Sequence, residues 1–189
     1  TQETLMKFRE RHQDPSSTDL KYSAKINGFK NVEDFISAHH SAPWMVTMVG
    51  FVAGLPFLYQ LVERNKQLEV PKYLRPRTDT PKLTLGFGGC FSTVYSVRGA
   101  GGYQMFGITP MPVYDPKQEI SYLKDFMVLC NPGDIVKWNP IDRKEYDEIT
   151  KKVNEGKYTP LMKEITFNLD DFNKDIERCN SKILEVLYD

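Results

Sequence analysis

Residues 84–97 read TLGFGGCFSTVYSV, which is two short β-prone pieces that meet at glycine. Similar pieces follow at near-regular intervals, namely YQMFGI at 103–108, FMVL at 126–129 and DIVKW at 134–138. Proline and glycine separate the pieces, and NPGD at 131–134 is typical of a turn. Short strands at this spacing predict a small barrel or sandwich from about residue 70 to 138.

The segment before this β-rich region carries helical and strand patterns. NVEDFISAHH begins with Asn31, a residue that favours a helix N-cap. The apolar run PWMVTMVGFVAGLPFL at 43–58 predicts a buried strand that runs into a tight loop. A short amphipathic helix is expected further upstream, over 2–13.

The segment after the β-rich region returns to helical patterns. Asp142 and Glu145 resemble a capping box, and the helix that they open is expected to end at Gly156. LMKEITF at 161–167 predicts a strand, and a last amphipathic helix is expected to open at Asp170. The fold class that these patterns predict is α+β.

The composition gives no indication of a strongly charged partner. Lys plus Arg and Asp plus Glu both number 25, so neither nucleic acid nor an anionic membrane is indicated. Three cysteines at wide spacing fit neither a disulfide framework nor a zinc motif, which favours a reducing compartment and no metal. No signal peptide opens the sequence, and glycine and proline break its longest apolar run, so a cytoplasmic location is expected. The first residue, Thr1, is compatible with a piece cut from a longer polypeptide.

The segment RGAGGYQMFGITP, at 98–110, is a candidate ligand loop. Its glycines match neither GxxxxGK[ST] nor GxGxxG, so a phosphate-binding loop is disfavoured. A predicted strand follows Gly102, so the glycines either let the backbone bend at a barrel rim or let it lie close to a ligand. A plain hairpin turn is the alternative that the loop alone leaves open.

A second candidate is the basic segment PKYLRPRTDTPK at 71–82, in which prolines stiffen an extended chain. Alternate residues of an extended segment share a face, so Arg75 and Arg77 are expected to point together at an anion such as a carboxylate. A solvated basic linker fits the same spacing equally well.

Histidine and cysteine give weaker indications. His39 and His40 are adjacent and would point about 100° apart on a helix, so they cannot share a metal ion. One of them is a candidate acid, base or substrate donor, and at least one is expected to pack or cap. Cys90 has no sign of a base in the sequence, so a packing role is favoured over a nucleophilic one.

Several segments together resemble one family, the allophanate hydrolase subunit 1 type domain, and most closely the carboxyltransferase region of urea carboxylase (urea amidolyase). HSAPWMVTMVGFVAGLPFL is similar to the family's His-(Thr/Ser)…GFxPGFxYL signature, and KYLRPRTDTP followed by GFGG resembles KYNPxRTxTP…GIGG. GAGGYQMFGITP resembles SPGGYQxxGRT, and the resemblance extends from about residue 19 through the tail. The same group includes a 5-oxoprolinase subunit and kinase-inhibitor proteins.

The resemblance implies a fold and a partnership. The implied fold is a cyclophilin-like β-barrel over 70–138, a small N-terminal α/β lobe over 1–69 and a C-terminal helix–strand–helix extension over 139–189. In the family, the active site forms where this half meets a second carboxyltransferase half of the allophanate hydrolase subunit 2 type. A carboxyl group passes there from carboxybiotin to urea. Carboxybiotin would arrive on a partner's biotin carrier, so no cofactor is expected to be covalently bound to this chain.

The resemblance also implies site residues by motif position. Lys72 and Arg77 would hold a carboxylate or the carboxybiotin oxygens, and Gln104 would hydrogen-bond an amide such as urea. These are the expected catalytic residues, and the ligand is expected to be a small amide or carboxylate. The expected substrate-binding residues are His40, Tyr73, Arg75, Thr78, Thr80, Gly101, Gly102 and Tyr103.

The sequence departs from the family pattern at several motif positions. Ile108 stands where the family usually has Arg, Ala100 where it has Pro, and Leu74-Arg75 where it has Asn-Pro. Loss of an Arg that stabilises developing negative charge costs on the order of a few kcal/mol, unless Arg75 or Arg98 replaces it. Two alternatives therefore stay open: a non-catalytic binding or regulatory protein with a degenerate pocket, and a subunit of an ATP-dependent 5-oxoprolinase-type amidohydrolase.

Overall fold

The structure, a computed structural model, describes residues 17–189, so the helix predicted over 2–13 lies outside the described residues. The helices are α1 Asp19–Ile26, α2 Val32–Ser41, α3 Arg143–Asn154, α4 Leu169–Lys174 and α5 Ile176–Tyr188. The strands are β1 Trp44–Val49, β2 Pro56–Gln60, β3 Arg77–Thr80, β4 Thr84–Gly88, β5 Phe91–Val94, β6 Gly99–Gly101, β7 Gln104–Ile108 and β8 Ile135–Val136. Short 3-10 turns form at Arg64–Lys66 and Ser121–Leu123.

Polar side chains begin the first two helices. The Thr18 hydroxyl accepts a hydrogen bond from the Lys21 N–H at 3.2 Å, and the Asn31 side-chain oxygen accepts one from the Asp34 N–H at 2.7 Å. Each bond satisfies a backbone donor that has no partner inside the helix. The predicted cap at Asn31 is therefore confirmed. The helices α1 and α2 pack against each other, and α1 also contacts β7.

Six strands form one antiparallel sheet in the order β7-β4-β5-β2-β1-β8. β1 and β2 form a hairpin, and β2 pairs with β5, so the sheet takes strands from both sides of the predicted boundary at 69–70. β3 and β6 form a separate two-stranded sheet in which Arg77 lies opposite Gly101. No ladder within residues 17–189 joins the edge strands β7 and β8, so the described sheet is open where the sequence predicted a barrel.

The alternation of side chains along the strands gives the sheet two different faces. On one face, Phe35 of α2 packs with Trp44, Leu58 and Phe87, and each of these side chains is fully buried. Burial of one such side chain contributes roughly 1.5–3 kcal/mol, so this cluster fixes the helices on the sheet. On β4, the residues on either side of Phe87 are glycines, and they form part of the opposite face.

The C-terminal region begins as predicted. The Asp142 carboxylate accepts a hydrogen bond from the Glu145 N–H at 2.8 Å and starts α3. Gly156 has a φ of +68°, a left-handed conformation that glycine adopts at little cost, and it follows the last turn of this helix.

Two predictions for the tail are wrong. Residues 161–167 form no strand: no described strand pairs with them, and Leu161, Met162 and Ile165 are exposed. The last helix is not continuous from Asp170, because the backbone breaks at Asp175 with φ −156° and ψ 92°. The Asp175 side chain then caps α5 by accepting a hydrogen bond from the Arg178 N–H at 2.9 Å.

Candidate functional site

Two tyrosine rings lie against the glycines of β4. A Cβ atom on Gly88 would lie 2.5 Å from the ring of Tyr103, and one on Gly86 would lie 2.8 Å from the ring of Tyr95. No side chain larger than hydrogen fits either position without moving a ring. The glycines of the GFGG motif are therefore explained by close packing of aromatic rings on the strand.

The glycine loop at 98–102 also packs closely against one of these tyrosines. A Cβ on Gly101 would collide with the Tyr95 hydroxyl, whereas a Cβ on Gly102 would meet only Pro76 at an ordinary 3.6 Å. The Gly102 carbonyl accepts a hydrogen bond from the Tyr73 N–H at 2.7 Å. The expectation that these glycines admit a ligand is thus corrected at Gly101, where the group admitted is a side chain of the protein itself.

Arg77 is the central charged group of this face. Its side chain is buried, with 2% of its surface exposed, and its Nε–H donates to the Thr80 hydroxyl at 3.2 Å. Its guanidinium carbon lies 4.9 Å from the centre of the Tyr73 ring, a cation–π distance. Neither terminal nitrogen, Nη1 or Nη2, meets hydrogen-bond geometry with a described residue, although the Tyr95 side chain lies close to the guanidinium. Buried donors without partners are costly, so these nitrogens are the best candidates here to bind an anion or a carbonyl oxygen.

The tyrosines around Arg77 stay protonated near neutral pH. Burial raises the pKa of Tyr95, and the nearby Arg77 acts in the opposite direction. Burial, together with the nearby Tyr95 and Cys90, raises the pKa of Tyr103 to about 12. Tyr103 is therefore suited to donate a hydrogen bond and unsuited to act as a general base at neutral pH.

Lys72 lies at the exposed side of the same cluster. Its ammonium nitrogen is 5.3 Å from the centre of the Tyr103 ring, and the rest of the side chain faces solvent. Arg77 and Lys72 are thus held by two neighbouring tyrosines, one cation inside the protein and one at its surface. Lys72 thus places a positive charge at the surface, while the terminal nitrogens of Arg77 are shielded from solvent.

Sequence reasoning missed Asp19, the first residue of α1. One carboxylate oxygen accepts a hydrogen bond from the Tyr73 hydroxyl at 2.5 Å, and the other accepts one from the Met105 N–H at 2.7 Å. Asp19 therefore joins α1 to the 71–76 segment and to β7. An acidic residue in the first turn of a helix is ordinary, so no local pattern could have singled it out.

Arg75 and Arg77 do not share a face, and that prediction is wrong. The chain bends at Leu74 and Arg75, which interrupts the alternation, and Arg75 is exposed whereas Arg77 is buried. The two threonines also differ, because the pairing of β3 with β6 shifts register between Arg77 and Thr80: Thr80 is buried against Arg77, and Thr78 is exposed.

Gln104 is fully buried, and its side-chain amide donates to the Pro71 carbonyl at 2.8 Å. This bond ties the 71–76 segment to the start of β7. Gln104 therefore supports the segment that carries Tyr73, and its hydrogen bond to an amide ligand stays a prediction.

The two histidines lie apart from the Arg77 cluster. His39 is buried on the helix-covered face, with ring centroids 4.8 Å from Trp44 and 5.7 Å from Phe87. Burial, with a smaller contribution from the charge of His40, lowers the pKa of His39 to about 3. The backbone carbonyl of His40 accepts a hydrogen bond from the Lys137 ammonium at 2.5 Å, a contact on the β8 side of the sheet. No described contact joins His40 to the residues predicted with it.

The position of the missing family arginine is exposed. Ile108 ends β7 with 54% of its surface accessible. Arg98, a candidate replacement, forms a bidentate ion pair with the Asp79 carboxylate at 2.6 and 2.7 Å on the protein surface. Its guanidinium is therefore engaged with Asp79, and it does not replace the missing group.

Neither a metal centre nor a membrane span is found within residues 17–189. No group of three or more His, Cys, Asp and Glu side chains in this range is placed to hold a metal ion. None of the described helices is both long and apolar enough to cross a bilayer.

Comparison with known proteins places this cluster in a family. Residues 3–123 match the family described as "Carboxyltransferase domain, subdomain C and D". The chain belongs to this family. The carboxyltransferase match includes the Arg77 segment, the β4 glycines and the loop at 98–102, so all the residues around Arg77 fall inside it.

Relatives of this carboxyltransferase domain include two kinds of enzyme component. The chain is 32% identical to a 5-oxoprolinase subunit of Bacillus subtilis over 136 residues, 72% of this chain and 52% of that protein. It is 29% identical to the urea amidolyase of Lachancea kluyveri over 174 residues, 90% of this chain and 9% of that protein. The chain therefore spans about half the length of the first relative and less than a tenth of the second.

A solved structure extends the likeness in fold to nearly the whole chain. The crystal structure of the Kluyveromyces lactis urea amidolyase superimposes with a TM-score of 0.72 over 95% of this chain and 11% of that one, at 24% identity. At this identity the likeness concerns the fold, which is a mixed α/β arrangement around an antiparallel sheet.

Proposed function

We propose that this chain forms one half of a carboxyltransferase-type active site, which transfers a carboxyl group from carboxybiotin to urea or a similar small amide. The observation that carries the proposal is Arg77, a buried guanidinium whose two terminal nitrogens have no hydrogen-bond partner by geometry among residues 17–189. A planar guanidinium matches the two oxygens of a carboxylate, and a desolvated site strengthens that contact. Lys72 supplies a second positive charge at the exposed side.

In the proposed reaction, the bond between the biotin ring nitrogen and the carboxyl carbon breaks, and a bond from that carbon to a urea nitrogen forms. One proton passes from the urea nitrogen to the biotin nitrogen, so atoms and charge balance. The contribution proposed for Arg77 is to hold the carboxylate oxygens while charge shifts between the two nitrogens. Tyr103, protonated at neutral pH, is proposed to donate a hydrogen bond at the same site.

The proposal includes partners, because the chain covers only 9% of the urea amidolyase relative. A second carboxyltransferase half is proposed to complete the site, with carboxybiotin delivered on a carrier segment. Lys72 is exposed, and the second half is proposed to cover the ligand on that side.

A component of an ATP-dependent 5-oxoprolinase-type enzyme is the second candidate, because the 32% identity to the Bacillus subtilis protein is the higher of the two values. The extent of the match favours the first candidate. The urea amidolyase match covers 90% of the chain, while the 5-oxoprolinase match covers 72%.

The test is recovery of the native complex through a tag on this chain, followed by two turnover assays. Carboxylation of urea that requires bicarbonate and ATP supports the first candidate. ATP-dependent opening of 5-oxoproline without biotin supports the second. Arg77→Met is expected to abolish turnover in either assay, whereas Arg98→Met, a matched change at an exposed arginine, is expected to leave it intact. A complex with neither activity, or one that Arg77→Met leaves active, would overturn the assignment and favour a non-catalytic pocket.

A further inference from the structure

Arg77 is a buried cation, and within residues 17–189 no carboxylate forms an ion pair with it. The ion pairs formed among the described residues do not include Arg77. A buried guanidinium cannot lose its proton, so its charge must be balanced by other means. Its guanidinium carbon lies over the face of the Tyr73 ring, at 4.9 Å from the centre.

A carboxylate lies at the other end of that ring. The Tyr73 hydroxyl donates to Asp19, which also accepts a hydrogen bond from the Met105 N–H. Both oxygens of Asp19 are thus acceptors, the arrangement that suits the ionised carboxylate. When a phenol hydroxyl donates a hydrogen bond to an anion, electron density shifts from its oxygen into the ring. A ring with more electron density attracts a cation more strongly.

We infer that Asp19 is a positioning residue that balances the charge of Arg77 through the Tyr73 ring and holds that ring beneath the guanidinium. This inference rests on the proposed function, because it concerns the same anion site. A carboxylate in direct contact with Arg77 would occupy the terminal nitrogens and compete with a ligand. Placing the carboxylate one aromatic ring away stabilises the buried charge and leaves those nitrogens for the ligand.

The neighbouring hydrogen bonds support a positioning role. Tyr73 is also held by its backbone N–H, which donates to the Gly102 carbonyl at 2.7 Å, and the preceding Pro71 carbonyl accepts from Gln104 at 2.8 Å. These bonds fix the backbone of the segment. Asp19 fixes the far end of the side chain, so the plane of the ring under Arg77 depends on it.

The test uses the full chain and acetate as the carboxylate probe, with acetate replacing chloride at constant ionic strength. The readouts are the dissociation constant and the proton–nitrogen NMR resonance of the Arg77 Nε–H, assigned by its loss in Arg77→Met. The variants are Asp19→Asn, Tyr73→Phe and Arg77→Met. Asp79→Asn is the matched control, because it removes the carboxylate that pairs with exposed Arg98.

Asp19→Asn is expected to weaken acetate binding about tenfold, the scale of one hydrogen bond to a charged group. It is also expected to move the Arg77 Nε–H resonance as the ring leaves its place, a shift that mere loss of stability would not cause. Tyr73→Phe should weaken binding similarly, and Asp19→Asn should then add little to it, because Asp19 acts through that hydroxyl. Asp79→Asn should change neither readout.

Each other outcome has a defined meaning. If Asp19→Asn binds acetate normally with an unmoved resonance, the role of Asp19 is wrong while the anion site stands. If Asp19→Asn does not fold, Tyr73→Phe decides in the same way, because it keeps the ring and removes only the hydroxyl. If wild-type protein shows no saturable acetate binding, or Arg77→Met binds as well as wild type, the anion site of the proposed function is itself overturned.

Discussion

His39 and Arg77 are both buried basic side chains, but His39 packs against the six-stranded sheet, whereas Arg77 lies on β3 of the two-stranded sheet. His39 is packed among aromatic rings such as Trp44, and burial lowers its pKa so far that it is neutral. Arg77 cannot lose its proton in the same way. Its guanidinium stacks on the Tyr73 ring, and its terminal nitrogens have no hydrogen-bond partner by geometry among the described residues. The difference separates a buried basic group that is neutral from one that stays charged, and the proposed function assigns that charge to a ligand.

The largest effect on stability is expected from Gly88→Ala, which disturbs the packing of tyrosine rings near Arg77 and not the packing around His39. The added methyl group would lie 2.5 Å from the Tyr103 ring, so the ring must move off β4. Overpacking of this kind costs about 1–3 kcal/mol, and denaturant unfolding would measure it. Gly107→Ala on β7 is the matched control, because no atom lies within 4 Å of a Cβ there. Equal losses for the two variants would show that the rings do not depend on the β4 glycines.

The next effect is a pH dependence that belongs to the His39 face. The folded pKa of His39, about 3, lies below the ordinary value of 6.5, so the unfolded chain binds more protons between these values. The stabilisation is present above pH 6.5 and is lost as pH falls toward 3, by about 2 kcal/mol between pH 7 and pH 5. His39→Gln should remove this slope, and His40→Gln should keep it. A slope that survives in His39→Gln would contradict the assignment.

The smallest effect on stability is expected from a change at Arg98, an exposed arginine that serves as the comparison for buried Arg77. Arg98 pairs with Asp79 at 2.6 Å, but both side chains are mostly in solvent. Water and salt screen such a pair, so Arg98→Met should leave the thermal midpoint within error. A clear loss of stability would show that surface charge matters more in this protein than burial suggests.

Local signals explain what the sequence predicted well. The caps at Asn31 and Asp142 depend on side chains that bond three residues along the chain, and both formed as expected. TLGFGGCFSTVYSV and YQMFGI became strands because each carries its own turn residues. FMVL was wrongly predicted as a strand, because only Val128 pairs there, in an isolated bridge with Tyr114.

The features that escaped prediction depend on distant contacts. Asp19 meets Tyr73 across 54 residues, and no local pattern marks that pair. The separation of Arg75 from Arg77 follows from a bend at Leu74 and Arg75. Residues 161–167 form no strand, although Lys163 and Ile165 line one surface depression with Ile135 of the edge strand β8. The family motifs located Arg77, but only the packing revealed that its terminal nitrogens have no hydrogen-bond partner by geometry among the described residues.

The most direct measurement of the central claim is the thermal midpoint of wild type and Arg77→Met, each in chloride and in acetate. Methionine fills much of the same space without a buried charge, so Arg77→Met should be as stable as wild type or up to about 2 kcal/mol more stable. Acetate should raise the midpoint of wild type alone, because it binds only where the guanidinium is present. A variant that melts well below wild type, or that acetate stabilises equally, would contradict the claim that Arg77 is kept for a ligand.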